Sequence, residues 1–201
     1  MMRRGLLGGT FDPVHTGHLM LAQEVLWRLG LDEVCFVPTG EPWMKRGEQV
    51  TSKEHRQAMV ELAIADAPHF SLNAIELERA GETYTVDTLE ALRAGEMRND
   101  DVLFIMGEDA LHTLHRWKEA GRILELARIV VALRPGQGPL DFTELEAIAP
   151  TARERVMTVQ MPLIEISGTE LRRRSAAGEP VRYLVPAAVE AYIERNGLYR
   201  P

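Results

Sequence analysis

The chain has 201 residues, 45% of them apolar, enough for one full core, and a single domain over 1–201 is expected. With 23 basic against 30 acidic residues the net charge is −7, which excludes a general nucleic-acid surface, so an anionic ligand needs a local cluster. No segment reaches the roughly 18 apolar residues of a membrane span. The opening MMRRGLLGG is broken by glycines too early for a signal peptide, so a cytoplasmic location is expected.

The first element is a short apolar strand, GLLGG, followed by the turn GGTFDPVHTGH. The segment TGHLMLAQEVLWRLG spaces Leu19, Ala22, Val25, Leu26 and Leu29 for one helical face and stops at Gly30; Trp27 is placed in the core with them. EVCFV is a strand carrying the single cysteine, Cys35, expected as a buried thiol, and PTGEPWMKRGEQV is a loop. TSKEHRQAMVELAIADA begins with Thr51 and Glu54 at capping-box spacing and continues as a helix. FSLNAIEL at 70–77 is a strand, TVDTLEALRAG a helix closed by Gly95, and DVLFIMG a strand buried on both faces. DALHTLHRWKEAGRILEL is a helix with a break, ARIVVALRPG a central strand, residues 135–150 a mobile loop, and VMTVQM a last strand. Helices starting near Ser167 and Pro186 close the chain, the second ended by Gly197, giving a small helical part from about residue 167.

Strand and helix alternating over the whole length predict an α/β fold: a doubly wound, mostly parallel, Rossmann-like sheet. In such a sheet ligands bind at the carboxyl ends of the strands. That rule brings GGTFDPVHTGH, PTGEPWMK, GEDALHTLHRW, RPGQG and ISGTELR to one edge. At the first of these, Gly8 and Gly9 let a backbone approach a ligand, Thr10 adds a hydroxyl, and a helix N-terminus offers N–H groups to phosphate. The glycine spacing is neither the dinucleotide fingerprint nor a Walker loop. His15 and His18 project to the same side at the helix start and are placed to donate ring N–H bonds to phosphate. A single histidine there is more often a cap; two of them with a glycine pair and a helix N-terminus indicate an anion site.

The motif GGTFDPVHTGH resembles the signature of the nucleotidyltransferase superfamily, its H-x-G-H being His15, Gly17 and His18. ISGTELR resembles the second signature, with Ser167, Thr169 and Arg172. VPTGEPWMK, YTVDTL, GEDALHTLHRW, RPG and the tail RYLVPAAVEAYIERNGLY follow the bacterial nicotinate-nucleotide adenylyltransferases in order over nearly the whole chain. Two departures stand out: Gly168, where many members have a second Ser, and Trp43 and Met44, where many have a Pro-His pair.

The resemblance implies adenylyl transfer from ATP to nicotinate mononucleotide, giving deamido-NAD and pyrophosphate. The attacking phosphate already carries about 1.5 to 2 negative charges and needs no general base, so catalysis rests on positioning and electrostatics. His15, His18 and Arg172 are then the catalytic residues, with Gly8, Gly9, Thr10, Ser167 and Thr169 joining them around ATP. Lys45, Thr85, Asp109, Trp117 and Arg134 are expected around the mononucleotide, Trp117 stacking on the pyridine ring and Asp109 meeting a ribose. Physical alternatives accompany several of these residues. Ser167 has capping-box spacing to Glu170, Asp109 is a helix-cap candidate, Trp117 packs a helix face, and Lys45 is a surface lysine without the resemblance. Arg173 and Arg174 are expected to be solvated. Mg²⁺ is expected with ATP, held by phosphates and water, and no Cys/His cluster has zinc spacing. The rival readings are an adenylyltransferase for nicotinamide mononucleotide or pantetheine phosphate, a non-catalytic nucleotide-binding module, and, weakest, a dehydrogenase. A homo-oligomer is compatible with the sequence.

Overall fold

The computed structural model describes residues 1–42, 50–136 and 138–200. The elements in chain order are β1 (Arg3–Gly9), α1 (Thr16–Leu29), β2 (Glu33–Pro38), β3 (Glu41–Pro42), α2 (Lys53–Ile64), β4 (Phe70–Leu72), β5 (Glu82–Thr83) and α3 (Thr85–Ala94). They continue with β6 (Asp101–Gly107), α4 (Glu108–Thr113), α5 (Ala120–Leu126), β7 (Arg128–Leu133), α6 (Thr143–Ile148), β8 (Val156–Gln160), α7 (Gly168–Ala177) and α8 (Ala187–Arg195). Six strands form one sheet in the order β4-β2-β1-β6-β7-β8, every neighbouring pair parallel. Counted within that sheet alone the order is third, second, first, fourth, fifth, sixth. This is the doubly wound arrangement whose direction reverses between β1 and β6, and ligands bind beyond the strand ends at that reversal. The α/β class expected from the alternation is the fold observed.

Two apolar layers cover the sheet. One joins Leu7, Val14, Ala22, Val25, Val34, Phe36, Met59 and Val60 to Leu171, Val189 and Ile193, so α1, α2, α7 and α8 share a face. The other joins Leu6, Val37, Val102, Phe104 and Val131 to Val86, Leu89, Leu114 and Ile123 under α3, α4 and α5. The central strands have near-continuous apolar runs because both of their faces are covered. Cys35 is buried and free, and burial pushes its thiol up to about 11. Among the described residues no helix is long and apolar enough to cross a membrane.

Several boundaries differ from expectation for local reasons. The strand expected over 70–77 ends at Leu72, because the Asn73 Oδ1 accepts a bond from the Ile75 N–H at 2.9 Å and turns the chain. The helix expected to open on Thr51 is capped at Ser52 instead. Thr51 is committed elsewhere, its N–H to the Asp12 Oδ2 at 3.1 Å and its carbonyl to the Arg56 Nε at 2.9 Å. The stretch 135–150 contains α6, started by Asp141, whose Oδ1 accepts from both the N–H and the hydroxyl of Thr143. Trp27 is 74% exposed rather than in the core, since it lies about 140° round the helix from Ala22. A second, two-stranded parallel pair, β3 with β5, was not foreseen.

Candidate active site

The β1–α1 turn is built around Phe11, which adopts φ +50 and is 2% exposed. Its ring stands edge-on to His18 with centroids 5.0 Å apart and packs against Phe36. Gly9 makes room for it: a Cβ there would meet the Phe11 ring at 3.0 Å. Beyond the turn, His15 takes the N-cap position of α1 with extended backbone. Its N–H donates to the His18 Nδ1 at 3.2 Å, which leaves the His18 Nε2 to carry the ring proton of the neutral form. The two imidazoles stack 3.6 Å apart at 22°, and the intervening Gly17 is needed because a Cβ there would stand 3.1 Å from the His15 Nδ1. That nitrogen is buried with no partner among the described residues.

Burial lowers the His15 pKa to about 4, and burial followed by the neighbouring His15 charge holds His18 well below the ordinary imidazole value. Both rings are therefore neutral at pH 7 in the free protein. Neutral rings can donate N–H bonds, and among the described residues Arg134 in the cavity wall and Arg172 on the turn carry positive charge at this edge.

Two cavities flank the turn. The first, about 240 Å³, is lined by Gly8, Gly9, Thr10, Thr83, Thr85 and Trp117, among others. The second, about 300 Å³, is lined by His15, Gly17, His18, Glu108, Asp109 and Arg134 among its walls. Both include Gly107, at the end of β6, so they meet over the reversal point of the sheet. The strand-end backbone thus faces one cavity and the histidines face the other.

The expected site residues divide accordingly. Trp117 follows a 3₁₀ turn at Leu114–Arg116 that breaks the α4–α5 helix. It stands edge-on to Phe104 at 6.3 Å, and its Nε1 approaches the Thr113 hydroxyl at 3.4 Å. Its packing role and its place in a cavity wall therefore coexist. Thr85 is the first residue of α3, whose N-terminus opens on the same cavity. Asp109 and Arg134, expected with Trp117, lie in the histidine cavity instead, where they approach each other at 3.9 Å with side chains 89% and 63% exposed. The cap of α4 is Gly107, not Asp109. Lys45, Trp43 and Met44 lie outside the described residues.

Ser167 caps α7 by accepting the Glu170 N–H at 3.2 Å. Arg172, one turn on, donates to the Asp12 carbonyl at 2.7 Å and to the Thr169 hydroxyl at 3.3 Å. These residues line neither cavity; Ser167 directly follows Ile166 of the histidine cavity's wall, and Arg172 reaches the turn through the Asp12 carbonyl. Gly168 has a reason here: a Cβ would stand 2.9 Å from the Asp12 carbonyl oxygen, so α7 starts directly on that peptide. Arg173 and Arg174 are taken up in ion pairs with Glu170 and Glu179.

Sequence reasoning missed Arg56. It is 1% exposed, and its guanidinium donates to the carbonyls of Thr51 (2.9 Å), Thr10 (2.9 Å), Thr39 (2.6 Å) and Gly40 (3.0 Å), tying the turn to the β2 exit and the α2 entrance. Burial lowers its pKa, opposed first by Asp12. The signal was present: Arg56 lies at helical spacing with the buried Met59, Val60 and Ala63, on the apolar stripe of α2.

The family model described as cytidylyltransferase-like matches residues 6–174. A probable nicotinate-nucleotide adenylyltransferase of Thermomicrobium roseum is 47% identical over 200 residues, covering 100% of this chain and 92% of that protein. One from Roseiflexus sp. is 48% identical over 196 residues, covering 98% and 97%. Among solved structures, Plasmodium falciparum nicotinic acid mononucleotide adenylyltransferase complexed with NaAD superposes with a TM-score of 0.80 at 19% identity, over 99% of this chain and 98% of that one.

Proposed function

The chain belongs to the cytidylyltransferase-like family, among the nicotinate-nucleotide adenylyltransferases, and from that premise we propose that it transfers AMP from ATP to nicotinate mononucleotide, forming deamido-NAD and pyrophosphate. One observation carries this reading: two cavities of nucleotide-fragment size meet at Gly107 on either side of a turn built from backbone N–H groups and imidazoles. Such a site brings two phosphorylated ligands end to end.

ATP takes the histidine cavity. The His18 Nε2–H, the N-terminus of α1 and the strand-end backbone donate toward the phosphates, with Arg172 and Thr169 on the turn at the rim. Ser167 supports this edge by starting α7 there. Asp109 and Arg134 are reassigned to the ATP side by their place in that cavity. The mononucleotide takes the other cavity, its pyridine ring against Trp117 and its carboxylate toward the N-terminus of α3 at Thr85. Lys45 keeps the phosphate role that the resemblance gives it. The phosphate of the mononucleotide attacks the α-phosphorus in line, the bond to the β-phosphate oxygen breaks, and pyrophosphate leaves.

No proton must be removed from the nucleophile, which suits a site of neutral donors. Mg²⁺ bound to ATP through phosphate oxygens and water would offset phosphate charge there. ATP and nucleotide monophosphates are solutes of the cell interior, which supports a cytoplasmic location.

The test is pyrophosphate release with ATP and, in turn, nicotinate mononucleotide, nicotinamide mononucleotide and pantetheine phosphate. The acid is expected to exceed the amide in kcat/KM by about tenfold or more, because helix N-terminal donors favour a carboxylate. Equal or better use of the amide or of pantetheine phosphate refutes the assignment.

A further inference from the structure

Asp12 is 5% exposed, lines neither cavity, and is nevertheless held at three points by three distant segments. The Tyr199 hydroxyl donates to its Oδ1 at 2.7 Å, and the Thr51 N–H donates to its Oδ2 at 3.1 Å. Its carbonyl accepts from the Arg172 Nη1 at 2.7 Å. With both carboxylate oxygens engaged, the side chain cannot rotate without leaving a buried polar atom unpaired, so the peptide that anchors Arg172 is fixed in turn. The first turn of α7 rests on the same peptide at Gly168.

Tyr199 itself adopts φ +65, a conformation that costs an aromatic residue free energy and that persists only where its surroundings hold it. Burial, then the adjacent Asp12 carboxylate, raises its hydroxyl well above the ordinary phenol value, so it remains a proton donor at any working pH. A tail needed only for packing would have no use for a phenol aimed at the carboxylate beneath the phosphate turn.

We infer that Tyr199 is a positioning residue for nucleotidyl transfer: through the Asp12 carboxylate it fixes the carbonyl that holds Arg172 against the β1–α1 turn. The inference rests on the proposed reaction, in which Arg172 meets the phosphates.

The test is Tyr199→Phe in the full chain, compared with Tyr192→Phe. Tyr192 belongs to the same α2–α8 packing and its hydroxyl meets the His55 Nδ1 at 2.9 Å, with no link to the turn. Tyr199→Phe is expected to lower kcat about tenfold, the scale of a small misplacement of a phosphate-binding group, with KM for nicotinate mononucleotide within twofold. Tyr192→Phe leaves kcat within twofold. In an Arg172→Ala background, Tyr199→Phe changes kcat less than twofold further. An unchanged kcat in Tyr199→Phe, an equal fall in Tyr192→Phe, or a full additional tenfold loss without Arg172 overturns the inference.

If Tyr199→Phe does not fold, Asp12→Leu, close in shape and unable to accept from the Tyr199 hydroxyl, serves with the same expected loss and the same refutation. If the wild-type chain does not use nicotinate mononucleotide, it is the reaction that fails, and calorimetry with a non-hydrolysable ATP analogue then decides the positioning role. Binding weakened about fivefold in Tyr199→Phe alone, on the same positional argument, supports it, and equal affinities overturn it.

Discussion

Replacing Arg56 by Met keeps most of the side-chain volume and removes every donor. Four carbonyls, the buried one of Gly40 and the part-buried ones of Thr10, Thr39 and Thr51, then lose their partner at once. Each unpaired buried acceptor costs about 1–3 kcal/mol, while relief from burying a guanidinium returns several kcal/mol. The net expectation is a destabilisation of about 3–5 kcal/mol, four lost acceptor bonds partly offset by the returned desolvation of the guanidinium. For a chain of this length that corresponds to a fall in Tm of roughly 6–20 °C. Urea unfolding with a parallel thermal melt measures it. Arg56→Lys keeps a charge but cannot fan over four carbonyls, so it should fall between the two, at about 2 kcal/mol. A loss under about 1 kcal/mol in Arg56→Met would show that these bonds are dispensable and that apolar packing alone holds the turn.

His18→Ala should lower turnover by about 10² to 10³, the scale of one lost transition-state donor, with KM for ATP nearly unchanged; steady-state kinetics showing near wild-type turnover removes His18 from the chemistry. Trp117→Ala should raise KM for the mononucleotide, whereas a change confined to ATP contradicts the stacking role. Gly17→Ala places a carbon 3.1 Å from the His15 Nδ1, so the His15 ring must give by a few tenths of an ångström, and ATP affinity read by calorimetry should drop. For His15, a folded pKa of about 4 against an unfolded value near 6.5 means the unfolded chain binds the proton more readily. The stability carried by the neutral ring is complete above pH 6.5 and is lost as pH falls toward 4. Between pH 7.5 and 5 this amounts to about 2 kcal/mol. In His15→Asn the pH dependence of urea unfolding should shrink by that amount, and an unchanged dependence would show that the ring is not buried as described.

The order of strands and helices was legible because apolar spacing and Gly/Pro punctuation follow directly from burial geometry, and β1, α1 and β6 fell where the pattern put them. Trp27 misled by residue type: its angle on the helix, not its hydrophobicity, decided exposure. Gly17 and Gly168 stood in recognised motifs, but the reason for Gly17 is the orientation of the His15 ring two residues away, which spacing alone does not give, and the reason for Gly168 is a close contact with the Asp12 carbonyl across 156 residues, which no local window contains. Arg56 was hidden by its charge, since a cation inside a helix normally signals solvent. Tyr199 follows a helix-ending glycine where no periodicity remains to read. Asp109 and Arg134 were singled out by their motifs, but which of two adjoining cavities they line follows only from how β6 and β7 lie side by side.

The bond between Tyr199 and Asp12 spans 187 residues of chain. During synthesis at about 5–20 residues per second, the first functional turn leaves the ribosome roughly 10–40 s before its lock is made. Until then a nascent chain can pair β1 with β2 and bury much of its core while its nucleotide site remains slack. The β1–α1 turn thus takes its final shape only after Tyr199 has been made and folded back onto Asp12.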